Sequence, residues 1–323
     1  MSDYATLKGL VVTLDSRVNN LYGFTIIMNG KKKYHVSEES DGRRVGFRGA
    51  VCDGLQLHVV DSSSLMTFSV NIEDLTFHKE NSLKLPDWLH GRAANCDLHT
   101  VARDIHNGHL MVANSYMDCI DWVDFDKGLI KRKFLWEYNS EILEMAKNRN
   151  VEAADLCHIN HISRLEDEYF VTLCNLNGSD EGAIMRLSDG KFVLRGLTRP
   201  HDGFFSGDRF LLTNTGTKEL FVYEGVSGLD DLATVEPKRI DIQKLIPDFE
   251  GKFWLRGLLV ENGHIYVGCS QFQDRKTKET ARSPSTIVVL DEKTYEKVDT
   301  IEIASAGNLK NPVIYSILSI NSA

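Results

Sequence analysis

The sequence predicts an all-β fold, a single β-propeller of six four-stranded blades, on three observations. A hairpin motif recurs along the chain, each copy is followed by more strand-like sequence, and a lone apolar strand stands near the C-terminal end.

The repeat is clearest between two segments. Phe47-Arg48-Gly49-Ala50-Val51-Cys52-Asp53-Gly54-Leu55-Gln56-Leu57-His58-Val59-Val60 recurs as Leu255-Arg256-Gly257-Leu258-Leu259-Val260-Glu261-Asn262-Gly263-His264-Ile265-Tyr266-Val267-Gly268, with one residue inserted before the turn glycine. Segments beginning at His99 (HTVARDIHNGHLMVANS), His158 (HINHISRLEDEYFVTLCN) and His201 (HDGFFSGDRFLLTNTG) follow the same scheme. Each joins short β-rich runs of period two around a Gly or Asp turn, which is the signature of a hairpin. Further strands follow, as in Ser64–Val70, Cys119–Phe125 and Thr286–Leu290. Units recur every ~40–60 residues, a spacing of propeller blades.

Five blades read directly as 44–80, 97–136, 158–197, 201–243 and 254–304. The sixth is split: the terminal strand 313–320 pairs with strands inside 5–38, closing the ring and removing the sheet edges an open array would expose. Seven blades is the alternative count. One domain then spans 1–323, with a helical inter-blade insertion at about 138–156, capped at Asn139 or Ser140. Residues 86–92 read as a long loop and 271–285 as an insertion within the last full blade.

Composition narrows the function classes. The chain has 323 residues, 42% hydrophobic and 26% charged, with a formal net charge of −9. That acidic balance argues against nucleic-acid binding, which needs clustered Lys and Arg. Lys31, Lys32 and Lys33 follow Asn29-Gly30 and read as a solvated hairpin turn. No apolar run approaches the ~18–20 residues that cross a membrane. The N-terminal Met1-Ser2-Asp3-Tyr4 lacks the features of a signal peptide. Cys52, Cys96, Cys119, Cys157, Cys174 and Cys269 are scattered singly, with no disulfide framework or CxxC pair. A cytoplasmic protein is the expectation.

In a propeller the inner strands run in one direction, so equivalent residues meet at one channel mouth. Aligning the repeats places Arg48, His99, Asn160, His201 and Arg256 at equivalent positions, with His158 and His161 flanking Asn160. Inner strands are otherwise apolar, and buried polar groups cost free energy unless partnered. Three accounts stay open. The side chains could hold the blades in register. His99, His158 and His201, with His161 as an additional ligand, could converge on a divalent transition metal such as Zn or Fe. Alternatively, His99, His158 and His201 could perform metal-free acid/base catalysis. Arg48 and Arg256 would repel a bare cation but suit a substrate carboxylate, phosphate or sulfate. Asn160 and Trp254 complete the expected substrate-binding set. Cys157 reads as a core thiol, since strand neighbours point to opposite faces. Asp121, Asp124 and Asp126 read as a solvated strand face.

The succession LHTVARD, CHINHIS, RPHDGFF and FWLRGLLVENGHIYVGCS resembles a family of uncharacterised bacterial proteins of predicted propeller fold, over about residues 95 to 320. The family's turns read H-D-I-A, C-H-x-N-G-L-A, P-H-S and R-G-L-A. The resemblance implies six blades and a shared site at His99, His158, Asn160, His201 and Arg256. This chain departs from the pattern at His161, where Gly is usual, and at Asp202, where Ser is usual. By architecture alone, amidating lyases, with histidines from different blades on one zinc, offer a chemical parallel. The functional expectation is an enzyme of lyase or hydrolase type acting on a small anionic molecule in a His-lined pocket. The contrasting expectation is a non-catalytic propeller that binds a ligand or protein on its top face.

Overall fold

The computed structural model describes residues 9–16, 21–28, 31–37, 47–86, 88–89, 92–93, 97–148, 155–249, 252–271, 283–303 and 312–320. The chain opens with β1 (Leu10–Ser16), β2 (Leu21–Met28) and β3 (Lys31–Ser37). Blade 2 follows as β4 (Ala50–Asp53), β5 (Gln56–Val60), β6 (Ser64–Asn71) and β7 (Thr76–Lys84). Where residues 86–92 were expected to form only a loop, a small hairpin pairs β8 (Trp88–Leu89) with β9 (Arg92–Ala93). Blade 3 comprises β10 (Leu98–Arg103), β11 (Leu110–Asn114), β12 (Cys119–Asp124) and β13 (Gly128–Phe134). The helix α1 (Ser140–Asn148) leads to blade 4, made of β14 (Ile159–Leu165), β15 (Glu168–Leu173), β16 (Glu181–Arg186) and β17 (Phe192–Thr198). Blade 5 holds β18 (Phe204–Ser206), β19 (Arg209–Asn214), β20 (Glu219–Glu224) and β21 (Lys238–Asp241), and the one-turn helix α2 (Ile242–Leu245) follows. Blade 6 is β22 (Phe253–Glu261), β23 (His264–Gln271), β24 (Ser285–Asp291) and β25 (Lys297–Ile303). The last strand is β26 (Val313–Ser319).

These are six four-stranded antiparallel sheets, the blades of a six-bladed β-propeller. Blade 1 closes as expected. β26 pairs with β1 from Leu10 opposite Ser319 to Asp15 opposite Val313, giving the order β26-β1-β2-β3. Second strands such as β11 (LMVAN) and β19 (RFLLTN) are buried along almost their whole length. Both their faces pack, so their sequences run apolar instead of alternating. The outer β7 and β25 are mostly exposed and correspondingly charged.

The chain divides into two compact units, one of 1–62, 66–82 and 241–323, the other of 63–65 and 83–240. In the first, Phe24 stacks on Phe47 at 4.3 Å and meets Phe68 edge-on at 5.1 Å, filling the space between blades 1 and 2. Leu14, Tyr266, Ile287, Ile314 and Ile317 fill the space between blades 6 and 1. In the second, Met111, Val171 and Met185 form one core, joined by Ile142 and Ala146 of α1. Asn139 caps α1 by accepting the Ile142 N–H at 3.0 Å. Phe170, Phe210 and Tyr223 form another core between blades 4 and 5.

Asp121 corrects the expectation of a solvated acidic face. It is fully buried and bonded bidentately to Arg132, at 2.6 and 2.7 Å. Asp124 is half-buried and Asp126 is exposed. Lys31, Lys32 and Lys33 are exposed, as a surface hairpin requires, whereas Asn29-Gly30 and most of the insertion expected over 271–285 lie outside the described residues. Among the described residues, no helix is long and apolar enough to cross a membrane.

Candidate functional site

The site residues sit at one recurring irregularity of the inner strands. In β10, Leu98 faces Asn114 and Thr100 faces Ala113, so His99 is an extra residue in the ladder. In β14, Ile159 faces Leu173 and His161 faces Thr172, leaving Asn160 in the same position. Pro200 bridges Asn214 and His201 follows it, its N–H donating to the Thr213 carbonyl at 3.0 Å. In β22, Leu255 faces Cys269 and Leu258 faces Val267, so Arg256 and Gly257 bulge together. Arg48 donates its N–H to Val60 O while Val60 donates to Gly49 O, so two residues again oppose one. A β-bulge leaves its extra residue outside the ladder and re-aims the side chain. The glycines at the Arg256 bulge have a steric reason: Gly257 has φ +79, and a Cβ on the facing Gly268 would come within 2.1 Å of the Arg256 carbonyl.

In the unit that holds blades 3 to 5, the structure brings His99 and His158 together. Their ring centroids lie 4.6 Å apart at an interplanar angle of 77°. His99 is buried, with Nδ1 3.1 Å from the Asp97 carbonyl and 3.9 Å from its carboxylate. His158 is half-buried, and its Nδ1 lies 2.7 Å from Asp155 Oδ1. A carboxylate on Nδ1 holds the proton there and directs Nε2 to chemistry. Buried His201 has Nδ1 3.7 Å from Asp202 Oδ1. Burial pushes the His161 imidazole below its ordinary range, with Asp202 opposing the shift. Asn160 is buried, donates through Nδ2 to the Pro200 carbonyl at 3.0 Å, and leaves Oδ1 without a hydrogen-bond partner. Cys157 is a core thiol, raised well above its ordinary value by burial and by Asp118 and Asp155.

The other unit holds the arginines. Arg48 and Arg256 are both buried. The Arg256 guanidinium carbon lies over the Trp254 ring at 3.8 Å from its centre and over the Tyr315 ring at 4.6 Å. Trp254 is half-buried beside it.

Two carboxylates escaped the reading of the sequence. Asp155 orients His158, and Asp118, far off in the turn after β11, binds the backbone that carries it. An acid three residues before a histidine was the only local signal for Asp155; Asp118 left none. Among the described residues, no three His, Cys, Asp or Glu side chains gather at metal-ligand spacing.

Fold and site together define a six-bladed β-propeller with an imidazole pair on the bulges and loops of blades 3 and 4. No family model matches the chain, and no curated protein matches it in sequence. Solved structures match its fold. A protein of unknown function from Bacteroides caccae aligns with a TM-score of 0.59 at 15% identity, over 96% of this chain and 97% of that one. A candidate 6-phosphogluconolactonase from Bacteroides fragilis gives 0.52 at 12% identity, over 98% and 90%. A chain of a nidogen/laminin complex gives 0.56 at 11% identity, over 97% and 100%. At these identities the likeness is one of fold, and fold alone does not set function.

Proposed function

We propose that the protein is an enzyme whose acid/base centre is the His99–His158 pair, acting on a small anionic organic molecule by elimination or hydrolysis. The contact of the two imidazoles, with Asp155 on Nδ1 of one, carries this reading. Two imidazoles in contact suit a general base and a general acid acting in the same turnover. One ring takes a proton from a substrate C–H or from water, and the other gives one to the leaving group.

Asn160 Oδ1, a buried acceptor, suits a hydroxyl or amide donor of the substrate. His201 is a further imidazole, with the Asp202 carboxylate 3.7 Å from its Nδ1. In its own unit, Arg256, over the rings of Trp254 and Tyr315, suits a planar oxyanion, and buried Arg48 carries the same chemistry. The reading extends to the bacterial family that the motif series resembles. One solved structure of similar fold is a candidate 6-phosphogluconolactonase, a hydrolase-type parallel by fold. The free thiols of Cys52, Cys119, Cys157, Cys174 and Cys269 suit a reducing, cytoplasmic setting. Of the expected metal ligands His99, His158, His201 and His161, the first two are in ring contact, so a Zn or Fe ion held by them would need further ligands and would supply a Lewis acid.

The test is a panel of small carboxylates, phosphates and sulfates, read by thermal shift and by incorporation of solvent deuterium or release of product. A stabilising compound should turn over, and His158→Ala should slow turnover by about 10²–10⁴-fold. If no compound binds and the chain purifies with a protein partner instead, the scaffold reading replaces this one. Stoichiometric Zn or Fe after chelator-free purification, lost in His99→Ala, would make the chemistry metal-dependent.

A further inference from the structure

We infer that Asp118 is the positioning residue of the histidine pair, setting the backbone from which His158 reaches His99; this rests on the acid/base reading of that pair. Asp118 lies in the turn after β11, 1% exposed, and its own carbonyl accepts the Leu135 N–H at 2.8 Å. Its carboxylate receives three consecutive amides of the segment entering blade 4. Oδ2 accepts the Leu156 N–H at 2.5 Å, and Oδ1 accepts those of Cys157 at 3.1 Å and His158 at 3.0 Å.

Three successive N–H groups converging on one carboxyl group require a concave backbone over Leu156 and Cys157. The residues on either side of this turn are left-handed: Asp155 at φ 69 and His158 at φ 51. Neither is glycine, and each such conformation costs on the order of 1–3 kcal/mol unless the surroundings enforce it. The Asp118 bonds are that enforcement, helped by Leu156 and Cys157, which are packed into the blade 3–4 core. This backbone places the Asp155 carboxylate on His158 Nδ1, and the same backbone turns the His158 ring edge-to-face toward His99. Without Asp118 the amides of Leu156, Cys157 and His158, the first two in buried residues, would lose their acceptor, and the segment would gain by relaxing to negative φ. The His158 ring would then leave both Asp155 and His99.

The experiment compares the full-length wild type with Asp118→Asn and Asp118→Ala by NMR of the histidine rings. In the wild type, His158 should show the Nδ1–H tautomer and a cross-peak to His99. Asp118→Ala should lose the cross-peak and average the tautomer while His201 keeps its signals. Asp118→Asn, which retains one acceptor oxygen, should fall between them. An unchanged His158 ring in a folded Asp118→Ala chain overturns the inference. Should both variants fail to fold, wild-type hydrogen exchange decides. The Leu156, Cys157 and His158 amides should be protected like core strand amides, and fast exchange at all three overturns it. These readouts follow ring geometry, so absent turnover in the wild type would sink the enzymatic reading without touching them.

Discussion

Removal of the closing strand should leave a chain that cannot fold. Truncation after residue 311 takes away β26 and with it Val313, Ile314, Ile317 and Ile320, none more than 5% exposed. Burying an aliphatic side chain of this size contributes about 1.5–3 kcal/mol, so the four together contribute roughly 6–12 kcal/mol. That matches the whole stability of a typical domain, about 5–15 kcal/mol. The truncation also removes the ladder along β1 and the bonds from Ile314 N–H to Ser270 Oγ and from Ser316 N–H to Thr13 Oγ1. β1 becomes an open edge, which templates aggregation. Soluble yield and a circular-dichroism melt of residues 1–311 against the full chain measure the effect, with Ile317→Ala as a milder probe expected to cost about 2–5 kcal/mol. A soluble truncation that melts cooperatively within a few degrees of the full chain would refute the closure argument.

Two further outcomes follow from single residues. Arg256→Lys keeps the charge but gives up the planar group over the rings of Trp254 and Tyr315, so it should cost about 1–2 kcal/mol. It should also abolish any thermal shift that a carboxylate or phosphate produces in the wild type; an early-melting variant beside a wild type that no anion stabilises makes Arg256 a strut. Burial outweighs three amide bonds at Asp118 and pushes its carboxyl up to about 7. A carboxyl with a raised folded pKa contributes stability that is complete below its unfolded value, about 3.9, and lost as pH rises through the folded one. The loss between pH 4 and 7 is on the order of 4 kcal/mol, at about 1.4 kcal/mol per pH unit. Denaturant unfolding of wild type and of Asp118→Asn across that range should show the difference, and parallel curves would contradict it.

The sequence alone determined the hairpins, the blades and the closure of blade 1. Turn dipeptides and period-two patterning act between neighbours in the chain, and an unpaired apolar strand such as Val313–Ser319 has few places to go. It also determined that Arg48, His99, Asn160, His201 and Arg256 are equivalent, because repeats carry their register with them; the bulges supply the structural reason. Tertiary structure decided the rest. Asp121 alternates with its neighbours as a solvated acid would, and only the approach of Arg132 made its buried face habitable. Asp118 and the Leu156–His158 amides meet across two blades. Which rings touch and which carboxylate holds which amide depend on side-chain directions set by packing between sequence-distant strands. No local pattern encodes those directions, so the imidazole pair and its support became visible only in the folded chain.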